Sequence, residues 1–400
     1  MTASADRTSS VLAGERRGIA GAKADLTLAS PRLERIAAED PGSAQLVELL
    51  LGIAVDCLPR MYDDGAFAFR LDGHRGAEGG WQVAAAGSSL RYTAIAALGL
   101  LRLPEQMQRR VLAGDSCRSL IGELGKRLDS MTSLGDVALA CWAAAEARHA
   151  DLPHALSRLA EVDRPGGRRS VVDAAWVVSA LVAARPQADV EAHLSRARGQ
   201  LVAARGAEAY PHAAGYPVPW YRSHVGSFAD QVYPVQALAR LHASSDDPQA
   251  LAIAEAVTAV ICAAQGEAGQ WWWHYDSRSG SVVEGYPVYS VHQHAMAPMA
   301  LMDLADAGGQ DHLGAVLRGL QWLADPPETA EELYLSEPPI TWRKVARNDY
   351  RKAVRGVRAA STRIRAGWRL QKLDRAFQPK VVDHECRPYE LGWLLMTWLS

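Results

Sequence analysis

The chain has 400 residues, 48% hydrophobic and 22% charged, with a formal net charge of -2. This is an ordinary globular composition, and the near-neutral balance excludes a general nucleic-acid binder. Twelve Trp and twelve Tyr against four Phe favour aromatic rings with a polar handle. The five Cys, at 57, 117, 141, 262 and 386, are scattered without CxxC spacing. That pattern fits reduced thiols and a cytoplasmic location.

Residues 1–30 read as a flexible leader, rich in Ser, Ala, Gly and Arg and without the apolar core of a secretory signal. No later run reaches about 18 uninterrupted apolar residues, so no transmembrane helix is predicted. From 31 onward two kinds of segment alternate. Six are apolar on nearly every side: "SSLRYTAIAALGLL" from 88, "SLGDVALACWAAAEA" from 133, "SVVDAAWVVSALVAA" from 170, "SFADQVYPVQALARL" from 227, "YSVHQHAMAPMALMDL" from 289 and "RPYELGWLLMTWLS" from 387. The others are more amphipathic, near 43–58, 104–126, 152–161, 187–204, 247–264 and 310–323. Buried helices alternating with half-exposed ones predict two concentric rings, six inner and six outer. The fold class is therefore all-α, an (α/α)6-type toroid over residues 31–400, with a basic insertion at 325–385. Long links at about 59–87, 205–226, 265–288 and 324–386 all precede inner helices. Antiparallel alternation gathers them at one end of the toroid, where chemistry is expected.

"QGEAGQW" at 265–271 matches the QxxxGxW repeat, and "RGAEGGW" at 75–81 is a degenerate relative. On these motifs the chain resembles terpenoid cyclases and protein prenyltransferases, which implies the toroid fold. In that family the motif ties loops to helix ends, so Gln265, Gly269 and Trp271 are expected to be structural. More loosely, the helix pattern is similar to the toroids of polysaccharide lyases, uronate epimerases and unsaturated-sugar hydrolases.

Aligned on their starts, three inner helices read Ser133-x-x-Asp136, Ser170-x-x-Asp173 and Ser227-x-x-Asp230. Tyr92, Gln293 and Glu390 occupy the acid's position in the other three. Ser with an acid three residues later is a capping box, and the same residues also ring the mouth of a toroid. Four link segments bring further polar aromatics there. One carries Trp272, His274, Tyr275, Glu284, Tyr289, His292 and His294; a second carries Tyr210, His212, Tyr216, Trp220, Tyr221, Arg222 and His224. A third, 61–81, carries Asp63 and Asp64, and the fourth carries His384, Arg387, Tyr389 and Glu390.

No DxDD or DDxxD acid motif is present, and a rim rich in His, Arg and Glu suits sugars better than carbocations. The favoured function is a carbohydrate-active enzyme acting by epimerisation, elimination or hydrolysis, with uronate-containing and lipid-linked glycans as candidate substrates. A terpenoid cyclase or prenyltransferase and a non-catalytic glycan binder are the alternatives. The candidate catalytic residues are His292, Tyr289, Glu284, Asp230 and Glu390, since Tyr, His and carboxylates can move protons. The candidate substrate-binding residues are Trp272, His274, Tyr275, Tyr216, Trp220, Arg222, His224, Arg387, Tyr389 and Arg91. His292 and His294 are two apart and cannot chelate one ion from a regular helix, and "DHEC" at 383–386 lacks a second cluster. No metal and no cofactor are predicted. Residues 342–375 carry twelve Lys or Arg and two acids. They form either a solvated helix or a surface for an anionic membrane or polysaccharide, and nucleic acid is not expected. The expected location is thus cytoplasmic, with peripheral membrane contact as the variant.

Overall fold

The computed structural model describes residues 28–349 and 352–400. The expected leader lies almost wholly outside the described residues. Its last residue, Ser30, is buried and caps the helix Pro31–Glu39.

Six helices form the inner ring: Leu90–Leu100, Leu134–Glu146, Val171–Ala184, Ala229–Ser245, Ala297–Asp306 and Pro388–Trp398. Each packs on the next, and the last returns to the first. Their outer partners are Cys117–Lys126, Leu152–Val162, Glu191–Ala203, Pro248–Ala263, Leu313–Ala324 and, for the last inner helix, Pro41–Cys57. The toroid expected from the alternation is the fold observed. The segment Pro41–Arg60 is long and apolar enough to cross a membrane, yet 56% of it is buried; it packs against helix 388–398.

The first and last elements lock the ring. Arg32, buried, donates to Thr397 O at 2.9 Å and pairs with Asp303 at 2.5 Å and Asp306 at 2.6 Å. Helices 90–100 and 388–398 approach closely because both are glycine at the contact. A Cβ on Gly99 would sit 2.2 Å from Gly392 O.

The long links are not plain coil. They carry short antiparallel strands, which satisfy backbone groups that a rim segment would otherwise leave unpaired. Val225–Ser227, His274–Asp276 and Val282–Glu284 form one three-stranded sheet. Val288–Tyr289 pairs with Lys344–Arg347, which pairs with Pro379–Asp383. Arg70–Arg75 lies between Trp81–Ala86 and Glu385–Cys386. Links from distant parts of the sequence are thus stitched together. "RGAEGGW" is the tip of the hairpin 70–86, where Arg75 covers the Trp81 ring at 4.1 Å.

The 265–271 motif anchors a loop. Gln265 donates to Gly269 O at 3.0 Å and Ala315 O at 2.9 Å, and accepts from Arg318 at 2.7 Å. Gly269 has φ +97°, and a Cβ there would meet Arg318 O at 1.9 Å. Trp271 is fully buried against Phe228. All three residues bind the loop to helix 313–324 or the core beneath it.

Candidate active site

A cavity of about 330 Å³ opens at the N-terminal ends of the inner helices. Its walls include Ile95, Trp176, Tyr233 and Met296. Each stands three residues after an aligned first-turn position: Tyr92, Asp173, Asp230 and Gln293. Residues three apart share a helix face, so this stripe faces the axis. Trp176 meets Tyr233 edge-on at 5.1 Å. Trp273, Tyr289 and His292 form the opposite wall, with centroids 4.8 Å apart for Trp273–Tyr289 and 4.9 Å for Tyr289–His292. Tyr92, Tyr389, Arg91 and Arg343 complete the mouth.

On one side, through Arg91, Val172 and Ala229, the cavity adjoins a chamber of about 600 Å³ lined by Asp173, His212, Tyr216 and Asp230. Asp173 and Ser170 make a reciprocal capping box that engages only Oδ2. Asp230 accepts from the Ser227 N–H and hydroxyl, both at 2.7 Å, and its two oxygens lie 3.2 Å from His212 Nδ1. That contact raises the His212 pKa, and burial near Asp230 and Asp173 raises that of Tyr216. Asp136 has a different partner: Arg91 donates to it at 2.6 Å and to Ser133 Oγ at 2.9 Å. The capping reading and the rim reading therefore hold together at Asp173 and Asp230.

On the other side, through Tyr289 and Arg343, lies a chamber of about 300 Å³ walled by Lys344, Arg347, Lys352 and Arg355. The basic insertion makes it. Strand 344–347 and the helix Ala353–Ile364 fold across the rim rather than standing clear as a solvated arm. Glu284 fastens them. Its carboxylate takes Arg358 at 3.1 Å, Arg347 at 3.2 Å and the Tyr286 N–H at 2.9 Å.

These placements sort the residues expected from sequence. Arg91, Tyr289, His292 and Tyr389 wall the cavity, and Asp230 and Tyr216 wall the first chamber. Glu284 borders the second chamber, but two guanidiniums occupy it, so it is an anchor rather than a free acid or base. His292 faces the cavity, yet burial pushes its pKa down to about 3, so it stays neutral and is a poor base at pH 7. It begins a π-helical turn, His292–Met296, that departs from the regular helix expected there. His294 is fully buried, its backbone oxygen accepting from Trp398 Nε1 at 2.7 Å. Glu390 lies behind the wall, 3.5 Å from Arg343; burial raises its pKa to about 7.

The remaining expectations need correction. Trp272 packs edge-on against Tyr286, and its neighbour Trp273 takes the cavity position. Tyr275 is fully buried, packed on Phe228. His274 is buried beside Trp273, and burial holds its pKa well below the usual histidine range. His224 accepts from or donates to Thr362 at 3.0 Å, tying the 210–228 link to the inserted helix. Trp220 is 65% exposed, Arg222 is exposed, and neither lines a chamber. Arg387 donates to Tyr92 Oη at 2.9 Å and Glu385 at 2.8 Å, supporting the wall from behind. The "DHEC" residues diverge: Asp383 to Lys344, His384 to Glu331, Glu385 to Arg387, and Cys386 into the core.

Asp173 and His212 stand on the rim where the helix alignment and the 210–228 link put them, though without a catalytic role assigned; Trp176, Tyr233, Trp273, Arg343 and Arg355 are the site residues that the sequence did not mark. The three-residue offset from the aligned acids was the available signal for Trp176 and Tyr233. Nothing in the local sequence marks Arg343 or Arg355 among twelve basic residues.

No protein-family model matches the sequence, and no curated protein matches it. Solved structures do match in fold. An unsaturated glucuronyl hydrolase from Bacillus sp. GL1 superposes with TM-score 0.54 at 14% identity, over 89% of this chain and 96% of its own. One from Streptococcus agalactiae gives 0.54 at 12%, over 89% and 91%. A glycosidase variant in complex with glucose gives 0.52 at 15%, over 90% and 97%. At these identities the likeness establishes the α/α toroid. None of these three is a terpenoid cyclase.

Proposed function

We propose that the protein is a carbohydrate-active enzyme that hydrolyses a glycosidic bond, with Asp173 and the Asp230–His212 pair as its proton-moving groups. The observation that carries this reading is the junction at Arg91. There an aromatic cavity, suited to the C–H faces of a sugar, meets a chamber holding two carboxylates on adjacent inner helices. Paired carboxylates flanking a scissile bond are the usual equipment of glycoside hydrolysis. His212, with its pKa raised by Asp230, carries a proton closer to neutrality and can protonate a leaving oxygen; Asp230 orients its ring. Asp173 keeps Oδ1 outside the capping box to act on water. Tyr289 and His292 contribute the wall and neutral hydrogen bonds. The named structural neighbours act on glycans or hold glucose, which is consistent with this choice.

The test is reducing-sugar release from a panel of neutral and acidic oligosaccharides. Asp173→Asn and His212→Gln are each expected to lower the rate about 10²- to 10⁴-fold, the usual loss for a general acid or base, with little change in melting temperature. Near-native rates in both variants reject the assignment. Epimerisation without bond cleavage would keep the carbohydrate reading and reject hydrolysis.

We also propose that the inserted helix gives the protein its contact with an anionic bilayer. Ile364 is 72% exposed and Trp368 47% exposed, beside exposed Arg365 and Lys372, a basic amphipathic rim suited to such a surface. Co-sedimentation with anionic but not neutral vesicles, weakening as salt rises, is the expected result. Equal binding to both rejects it.

A further inference from the structure

We propose that the basic insertion builds an oxyanion subsite, walled by Arg343, Lys344, Lys352 and Arg355 beside Tyr289, which receives an anionic substituent of the glycan. The carrier's identity rests on the glycan reading; the anion does not.

The argument starts from which charges are already neutralised. Five cationic side chains line the chamber, with Glu284 and Asp349 as the acids. Glu284 is spent on Arg347, Arg358 and the Tyr286 N–H. Asp349 accepts from the Val354 N–H at 2.9 Å, in the first turn of the inserted helix. Lys344 is paired with Asp383. That leaves Arg355, part-buried over the face of Trp273 at 5.5 Å, with no ion pair among the described residues. Lys352, exposed at the entrance, is in the same position. Arg343 is part-buried over Tyr289 at 5.0 Å, and its nearest acids, Glu390, Glu385 and Asp383, stand at 3.5, 3.6 and 3.8 Å. Its Nε is buried without a hydrogen-bond acceptor.

The Arg355 guanidinium has no acidic partner among the described residues, and an oxyanion would supply the charged acceptor it lacks. Arg343 and Arg355 come from different elements of the insertion, beside strand 344–347 and in helix 353–364, and both overlie aromatics that wall the central cavity: Tyr289 and Trp273. A sugar resting on those rings would present a carboxylate, sulfate or phosphate to both. The opposite chamber sets Asp173 and Asp230 among Arg91, Arg168 and Arg169, so the direction in which an acidic glycan enters is set by the subsite itself.

The experiment is isothermal titration of the full chain with inorganic sulfate, inorganic phosphate, glucuronate and glucose at constant ionic strength. The anions are expected to bind more tightly than glucose. Arg355→Gln should weaken the anions about tenfold or more, the usual effect of losing a charged hydrogen bond, while Arg110→Gln, on the exposed outer ring, should not. Binding of glucuronate alone supports the subsite and assigns it to carboxylates; binding of sulfate and phosphate supports it and assigns it to tetrahedral groups. Anion binding that is unchanged in Arg355→Gln, or weakened equally in both variants, overturns the proposal. So does glucose binding as tightly as glucuronate. Anion binding without turnover of any oligosaccharide would leave the subsite standing and defeat the hydrolase reading. Turnover of neutral and acidic oligosaccharides at equal kcat/KM, insensitive to Arg355→Gln, would do the reverse.

Discussion

The two chambers beside the central cavity differ in construction. One holds the carboxylate pair and stands on regular inner helices, its Asp173 and Asp230 held by serines three residues away in sequence. The basic one is made by an insertion crossing the rim, its arginines held by Glu284 from 63 and 74 residues away. Local caps fix the first, and long-range ion pairs fix the second. The carboxylate side should therefore tolerate loss of a single contact, while the basic side hangs on buried Glu284, with Asp374 as the second acid on Arg347 and Arg358.

The largest expected effect tests that dependence. Glu284→Ala leaves Arg358, 1% exposed, without its buried partner and with only the 40% exposed Asp374 at 2.7 Å. Breaking a buried ion pair from one side costs about 3–5 kcal/mol, and the loss should fall at the low end of that range. Urea unfolding should show a loss of that order, and proteolysis should cut first within 344–376. An unchanged midpoint would erase the contrast between the chambers.

Next comes the pH response beneath the wall. Burial raises the Glu390 pKa from 4.5 to about 7. Between those values the folded state binds more protons than the unfolded one, so stability falls as pH rises. The total is up to about 3 kcal/mol, at about 1.4 kcal/mol per unit. Glu390→Gln should flatten this slope in denaturation midpoints measured from pH 4 to 8. A slope unaltered in the variant assigns it elsewhere. His292, held neutral by its burial, should add no limb to a pH–rate profile above pH 5; a limb lost in His292→Ala would contradict that.

On the carboxylate side, Ser170→Ala removes one reciprocal cap and should cost about 1 kcal/mol, below the Glu284 variant. A loss as large as that of Glu284→Ala would make the two sides alike. Smallest of all, Arg365→Gln on the exposed arm should change stability by less than about 0.5 kcal/mol. A larger loss in thermal unfolding would mean that the outer surface of the arm also bears on its docking.

The helical ring was legible because burial imposes a one-dimensional pattern on a helix. Apolar-all-round segments marked the inner ring, and the Ser-x-x-Asp starts aligned them in register. The same register located Asp230 and, three residues on, carried unread information about Trp176 and Tyr233. The loop motif was also legible: Gln265, Gly269 and Trp271 meet their partners within about one hairpin. Which of three consecutive tryptophans faces the cavity was not. Trp273, rather than Trp272, is set by pairing to Gly285 and by the strands that follow.

By itself the sequence determined the two-ring toroid, the end at which the long links gather and the polar aromatic character of that end. Periodicity and capping are local; every inner helix repeats the first, and the Ser-x-x-Asp start recurs in three of them. Only the tertiary structure decided that Glu284 is an anchor, that His292 is neutral and that Arg343 and Arg355 turn inward. A carboxylate's role depends on which cations reach it, and a histidine's on how much water does. Both are set by chain segments that fold back from far along the sequence, where no local spacing records the contact.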